Sequence, residues 1–177
     1  MPTSPEQRAN VLRGMALAAL LSGAFISTGY WLLLRTQWFQ PVTYGKAAAF
    51  SLALASLPLM LGIAHAARIR HAVQDIDGAD PAPGTLLHII RRYVQNTLEQ
   101  TVLFAVAGIS FFFTAPEFSA KLLPVMAVWF CIARALFWRG YVSPDPTRRA
   151  VGFAATFHPT ILLLLTSIAL SLRNGIV

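Results

Sequence analysis

The sequence is short of charge: Asp, Glu, Lys and Arg together make up only 12% of its 177 residues. A soluble domain carries about twice that share, so a water-soluble globular protein is excluded as the fold class. Apolar residues contribute 56%, and the mean hydropathy is +0.59. The composition therefore predicts an integral membrane protein, which its length limits to a single membrane domain covering residues 1–177.

Cysteine and long basic runs are also scarce. Cys131 is the only cysteine, which excludes an intrachain disulfide and a cysteine-based metal cluster, and no metal site is predicted. The net charge is +7, yet no basic run exceeds two residues. This pattern favours charges that orient the chain in a membrane over nucleic-acid binding.

Long apolar stretches recur along the chain, each of a length that can span a bilayer. They predict five transmembrane helices, at about 14–34, 47–67, 85–113, 118–141 and 150–172. The first is predicted to be retained, because it is too long for a signal peptide and no small-residue cleavage site follows it. The predicted fold class is an all-α integral membrane bundle.

The basic residues are distributed unequally between the two sides of such a protein. Most of the 14 lysines and arginines fall on the side that also carries the amino terminus. The positive-inside rule places that side in the cytoplasm. A four-span arrangement, in which the first helix is removed or lies flat, leaves the same side cytoplasmic.

The most informative stretch opens the third apolar run. Arg92, Asn96 and Glu99 are spaced so that one face of a helix carries all three. A carboxylate within a membrane helix is costly, by about 2.5–3.5 kcal/mol on insertion scales, and marks a functional site by default. Three further clusters lie on the same predicted side: Arg68 and Arg70; Arg134, Trp138 and Tyr141; and Arg148 and Arg149.

Several arginines around one glutamate suit a small zwitterion or a polyanion as the ligand. Guanidinium groups bind carboxylates in bidentate fashion, and a Glu–Asn pair can hold an ammonium group. In the alternative, Glu99 and Arg134 pair with each other or with a neighbouring subunit, so that two buried charges become tolerable. Spacing alone leaves both interpretations open.

Two of these stretches are similar to known motifs. Residues 92–99 read Arg-Tyr-Val-Gln-Asn-Thr-Leu-Glu, and residues 134–141 read Arg-Ala-Leu-Phe-Trp-Arg-Gly-Tyr. They resemble the Arg-x-x-x-Asn-x-x-Glu and Arg-x-x-(Tyr)-x-x-Gly-Tyr motifs of the MAPEG proteins, the membrane-associated proteins in eicosanoid and glutathione metabolism. Arg148 follows Arg134 by fourteen residues, as in the leukotriene synthase branch of that family. The resemblance covers about 47–172.

The resemblance implies a four-helix core at about 45–173, assembled as a homotrimer, with the first helix (11–36) as an addition. It implies that glutathione binds between subunits at the cytoplasmic side. The function implied is that of a membrane-bound glutathione-dependent transferase or peroxidase. Its second substrate would be a lipophilic electrophile that arrives from the membrane lipid.

Carried over position by position, the resemblance also implies roles for single residues. Arg148 would activate the glutathione thiol, since a nearby cation lowers a thiol pKa, and the adjacent Arg149 is the alternative. The implied glutathione contacts are Arg92, Asn96, Glu99 and Tyr141, with Arg134 as a further contact or as a structural pair near the site. Arg68 or Arg70 would reach the site from a neighbouring subunit.

Two positions depart from the leukotriene synthase pattern. Phe137 and Gln100 stand where that branch has tyrosines, so hydroxyl groups are missing there. Some members of the family bind lipid and present it to a partner without chemistry of their own. A non-enzymatic lipid-binding or scaffolding membrane protein on the same fold is therefore the alternative function. A small channel or transporter, with Glu99 lining its pathway, is a third.

Overall fold

The structure is a computed structural model that describes residues 5–35, 44–73, 80–143 and 145–175. These ranges form five long α-helices and one short 3-10 helix. The α-helices are α1 (Pro5–Arg35), α2 (Tyr44–Ala72), α3 (Leu86–Thr114), α4 (Pro116–Tyr141) and α5 (Arg149–Asn174), and the 3-10 helix is Pro146–Arg148. All five α-helices are long and apolar enough to cross a membrane. The prediction of an all-α, multi-pass membrane protein with five spans is confirmed.

Local sequence explains where several helices begin. The described part of α1 begins at Pro5, earlier than its uncharged run predicts, and Glu6 in the first turn complements the helix dipole. α3 starts after Thr85, whose side-chain oxygen accepts a hydrogen bond from the His88 backbone N–H at 3.3 Å. α4 follows α3 almost directly and has Pro116 at its first position. This short turn makes α3 and α4 antiparallel neighbours.

α4 lies at the centre of the bundle. It packs against α1, α2, α3 and α5, while α3 also packs against α2 and α5. The core contains large side chains of α3 and α4, among them Phe104, Leu123 and Phe130. α1 differs, since Ala18 and Ser22 are its buried residues and most of its leucines are exposed. Lipid tails are as apolar as leucine and can cover such a surface. α1 is thus a peripheral helix laid against α4 and α5.

Prolines inside membrane helices leave backbone carbonyls without their usual donor, because proline has no N–H to offer the residue four positions earlier. Pro159 of α5 frees the Ala155 carbonyl in this way, and the Trp129 indole N–H of α4 donates to it at 2.8 Å. The same indole N–H lies 3.0 Å from the Ser22 hydroxyl of α1, which accepts from it. An unsatisfied carbonyl in hydrocarbon costs several kcal/mol, so this cluster ties α1, α4 and α5 together.

Pro58 of α2 repeats the arrangement on the other side of α4. It frees the Leu54 carbonyl, to which the Cys131 thiol of α4 donates at 3.3 Å. Each of these two prolines therefore has a side chain of α4 opposite the carbonyl that it frees. The two contacts fix how α2 and α5 align along α4.

Two glycines let α1 approach its neighbours closely. A Cβ atom on Gly14 would lie 3.1 Å from a methyl group of Val151 on α5. A Cβ atom on Gly29 would lie 2.7 Å from a methyl group of Val125 on α4. Larger residues at these positions would push α1 away, because real Cβ atoms rarely come so close to a neighbouring side chain.

We expect Trp129→Phe to lower the free energy of unfolding by about 1–2 kcal/mol, because the Ala155 carbonyl loses its closer donor in an apolar environment and keeps only the Ser22 hydroxyl at 3.5 Å. In a Pro159→Ala background the backbone N–H of residue 159 can donate to that carbonyl. Trp129→Phe should then lower the free energy of unfolding by clearly less. Reversible unfolding of all four variants in mixed micelles measures the difference. Equal costs in the two backgrounds would show that the bond to Ala155 does not stabilise the bundle.

Candidate functional site

An open cleft of about 740 Å³ lies beside the amino-terminal half of α3. Its walls come from α3, from the end of α4 and from segment 80–83. The polar and charged residues that line it are Asp80, His88, Arg91, Arg92, Gln95, Asn96, Glu99 and Tyr141. The structure therefore brings the three predicted site residues of α3 together with Tyr141 of α4.

The spacing of residues along α3 produces one wall of the cleft. Arg92, Asn96 and Glu99 face the cavity from successive helical turns, as residues three and four positions apart do. Glu99 is exposed, and its Oε1 accepts a hydrogen bond from Gln95 Nε2 at 3.0 Å. This wall offers a carboxylate acceptor and guanidinium donors side by side, which is what a zwitterionic ligand requires.

Arg134 lies behind this wall. Its side chain is fully buried, and its Nη2 donates to Asn96 Oδ1 at 3.1 Å and to Thr97 Oγ1 at 2.8 Å. Within the protomer Arg134 is therefore joined to α3 through Asn96 and Thr97, and not through Glu99. The predicted direct contact between Arg134 and a ligand would require this buried side chain to become accessible.

Two aromatic rings surround the buried charge of Arg134. Its guanidinium carbon lies 4.0 Å from the ring centroid of Phe137 and 5.4 Å from that of Tyr93. These ring faces replace part of the hydration that the cation has lost. Arginine has only donors, so the Asn96 atom that faces it is the carbonyl oxygen. The Asn96 amide nitrogen is thereby left for the cleft.

The end of α4 meets the start of α5 at Gly140. A Cβ atom there would lie 2.8 Å from the Arg149 backbone, so only glycine permits this approach. The contact places the Arg149 guanidinium group 5.0 Å from the ring centroid of Tyr141. Tyr141 also packs against Phe137, with 5.0 Å between the ring centroids. The ring that borders the cleft is thus held by an aromatic neighbour and a cation.

Arg148 occupies a different position from Arg149. Its side chain is 71% exposed, and its Nε lies 3.8 Å from Asp145 Oδ2. Asp145 Oδ1 accepts from the Thr147 hydroxyl at 2.7 Å and from the Thr147 backbone N–H at 2.9 Å. These two hydrogen bonds, with a smaller contribution from Arg148, hold the pKa of Asp145 below its ordinary value. The carboxylate therefore stays ionised and offers the Arg148 side chain a weak ion pair across the 3-10 helix.

Arg68 and Arg70 end α2, the first exposed and the second partly buried. The lining of the cleft comes from other elements, so a single protomer does not bring these two arginines to it. That they reach the site from a neighbouring subunit stays a prediction.

The cleft also contains residues that the sequence analysis did not assign to a site, above all His88, Arg91, Gln95 and Asp80. Arg91 Nη1 lies 2.6 Å from Asp80 Oδ1, and this ion pair holds segment 80–83 beside α3. Helical spacing contained a signal for three of them. His88, Arg91 and Gln95 follow one another at intervals of three and four positions, and His88 and Gln95 also lie four and three positions from Arg92.

A second cavity, of about 560 Å³, is an open groove among α2, α3 and α4, with exposed Leu57 and Leu61 on its wall. Its lining is largely apolar and includes Leu57, Pro58, Leu61 and Trp138. Tyr93 also lines it, and the Tyr93 ring is in contact with Tyr141, with 6.5 Å between centroids. A layer of aromatic side chains therefore separates an apolar cavity from the polar cleft.

The family model described as "MAPEG family" matches residues 46–169. The matched range contains nearly all of α2, the whole of α3 and α4 and most of α5, with every residue of the cleft, and it leaves α1 outside. Comparisons with curated proteins and with solved structures give no significant match. The match extends over more than half of the chain, and it agrees with the two motifs in α3 and α4. The chain therefore belongs to the MAPEG family.

Proposed function

We propose that the protein is a membrane-bound glutathione-dependent transferase or peroxidase that acts on a lipophilic electrophile. The observation that carries this proposal is the polar cleft of about 740 Å³ at one end of the bundle. Groups at the family's motif positions line it, namely those of Arg92, Asn96, Glu99 and Tyr141. Membership in a family that includes glutathione-dependent transferases supports the same conclusion.

The chemistry of the cleft fits glutathione, which carries two carboxylates, one ammonium group and a thiol. Arg92 would hold a carboxylate, with the amide nitrogen of Asn96 as a second donor. Glu99 would hold the ammonium group. Arg134 would act by fixing the orientation of the Asn96 amide, and we therefore propose it as a positioning residue that does not touch the tripeptide.

We propose that Arg148 supplies the cation that activates the thiol, as the family motif implies. A free thiol titrates near pH 8.5, and only the thiolate is a strong nucleophile, so a nearby cation raises its fraction at neutral pH. Arg148 is exposed and only distantly paired with Asp145, so its side chain can turn toward a ligand. Arg149 is already engaged with the Tyr141 ring, and we assign it the positioning of that tyrosine.

The lipophilic substrate would approach through the apolar part of the protein. The cavity among α2, α3 and α4 is large enough for a small ligand, and Tyr93 lines it while contacting Tyr141 of the cleft. An apolar molecule held there would lie one aromatic layer away from the polar site. This proximity supports a reaction between a polar thiol and a membrane-soluble electrophile.

We further propose that the protein is a single membrane domain, with α1 added to a four-helix core, and that it assembles as a homotrimer. α3 exposes apolar residues next to the cleft, including Leu98, Val102 and Val106, which a second copy could cover. A neighbouring α2 would then bring Arg68 or Arg70 to the open side. The excess of basic residues at this end supports a cytoplasmic cleft and a cytoplasmic amino terminus.

Glutathione binding is the first test. We expect the detergent-purified protein to bind glutathione in calorimetry, and both Glu99→Gln and Arg92→Ala to weaken that binding by roughly tenfold or more, because each removes a charge-assisted hydrogen bond. Arg139→Ala is the matched control, since Arg139 is exposed on α4 and does not line the cleft. Absence of binding by the wild-type oligomer would defeat the proposal.

Substitutions of the adjacent residues Arg148 and Arg149 distinguish activation of the thiol from positioning of Tyr141. Arg148→Ala should lower kcat by roughly 10²–10³, and it should move the midpoint of the pH–rate profile upward, because the thiol loses the cation that lowers its pKa. Arg149→Ala should mainly raise KM for glutathione, since Tyr141 loses its support. Measurement of kcat and KM from pH 6 to 9 distinguishes the two. The reverse pattern would assign activation to Arg149.

A lipid-binding or scaffolding protein on the same fold is the second candidate, and the apolar cavity beside Tyr93 favours it. Such a protein would bind apolar molecules in this cavity and show no glutathione-dependent turnover of any electrophile. A screen of lipophilic electrophiles with glutathione, read by thioether or alcohol product, separates the two candidates. Product formation that requires Arg148 would exclude the scaffold.

A further inference from the structure

We propose that α1 completes a second ligand site within the membrane, one that takes a hydroxyl-bearing apolar molecule with a single chain or small ring system. The site is a crevice of about 320 Å³ between α1 and α5, closed at its base by residues of α3 and α4. It is separate from the polar cleft. It also lies outside the proposed glutathione chemistry and does not depend on it.

A buried nitrogen carries this proposal. The Nδ1 atom of His158 is buried and has no hydrogen-bond partner among the described residues, and His158 lines the crevice. A polar atom without a partner in an apolar environment is costly, and an ionisable residue inside a membrane helix marks a functional site by default. The wall of the crevice is thus largely apolar, but it contains a buried imidazole nitrogen that lacks a hydrogen-bond partner in the described part of the chain.

The other buried polar atoms that lack a hydrogen-bond partner in the described ranges do not face the crevice, the cleft or the second cavity. Gln100 Oε1 and the Nε and Nη1 atoms of Arg134 also lack hydrogen bonds among the described residues. Gln100 lines none of these cavities, and the Arg134 guanidinium group faces the rings of Phe137 and Tyr93.

Within the crevice itself, the Thr166 hydroxyl donates to the carbonyl of its own helix at 2.7 Å, and Ser22 is bonded to Trp129. His158 and Ser27 are therefore the polar side chains of this wall that a ligand can satisfy. Of the two, only His158 has a buried nitrogen without a partner among the described residues.

The occupant follows from shape and chemistry. A volume near 320 Å³ is at the low end of ligand pockets, which favours a single chain or small ring system over a two-chain phospholipid. A Cβ atom on Gly23 would meet no atom within 4 Å, so α1 leaves open space beside the crevice. A hydroxyl group both donates and accepts, and it therefore suits His158 Nδ1 in either neutral tautomer.

The test is photolabelling of the full-length protein in phosphatidylcholine nanodiscs with a diazirine-bearing long-chain fatty alcohol. We expect labelled peptides from α1 around residues 19–27 and from α5 around residues 158–166. Excess unlabelled hexadecanol should compete, whereas hexadecane, which has no hydroxyl, should not. Equal competition by the two would mean ordinary lipid contact and would overturn the proposal.

Two pairs of variants sharpen the result. His158→Phe keeps the ring and removes the nitrogen, so labelling should fall roughly three- to tenfold, while His158→Asn, whose amide can replace Nδ1, should retain most of it. Leu162→Trp should block the crevice, and Leu165→Trp is its control, because both leucines are exposed on α5 but only Leu162 lines the site. Unchanged labelling in His158→Phe or Leu162→Trp would also overturn the proposal.

Discussion

The structure depends on how a full positive charge is accommodated inside a membrane bundle. Arg134 has no exposed surface, so the groups around it must replace water. Two hydrogen bonds to α3 and the ring faces of Tyr93 and Phe137 do this. Phe137 belongs to α4 itself, but the two hydrogen bonds and the Tyr93 contact require α3 and α4 to stand at one relative height and rotation. The same register sets Asn96 and Glu99 opposite Tyr141. The geometry of the cleft is therefore a consequence of keeping one buried arginine satisfied.

The parts of the molecule that the sequence predicted are those governed by periodicity and charge. Apolar runs between charges marked the five helices, and spacing along α3 placed Arg92, Asn96 and Glu99 on one face. The burial of Arg134 was beyond such reasoning. An arginine two turns from a helix end is equally compatible with an interfacial position, and only the packing of Phe137 and Tyr93 decides between them.

The relative positions of Arg148 and Arg149 also needed the structure. Adjacent residues point in directions that depend on the local backbone, and here one belongs to a 3-10 turn and the other opens α5. Contact between α4 and α5 at Gly140 then brings Arg149 to Tyr141. Likewise, a proline in the sequence does not predict which side chain will donate a hydrogen bond to the carbonyl that it leaves without a backbone donor. Trp129 lies thirty positions before Pro159, in another helix.

The proline–tryptophan–serine cluster has a consequence for how the protein is made. During synthesis α1 leaves the ribosome well before α4 and α5, so Ser22 reaches the membrane before Trp129 and Ala155, with which it packs. Until those helices arrive, α1 has only lipid as a neighbour, and its position beside the bundle is not yet defined. α5, which is inserted after α1, thus helps to fix the place of α1, and a ribosome that stalls before α5 would leave α1 loosely associated.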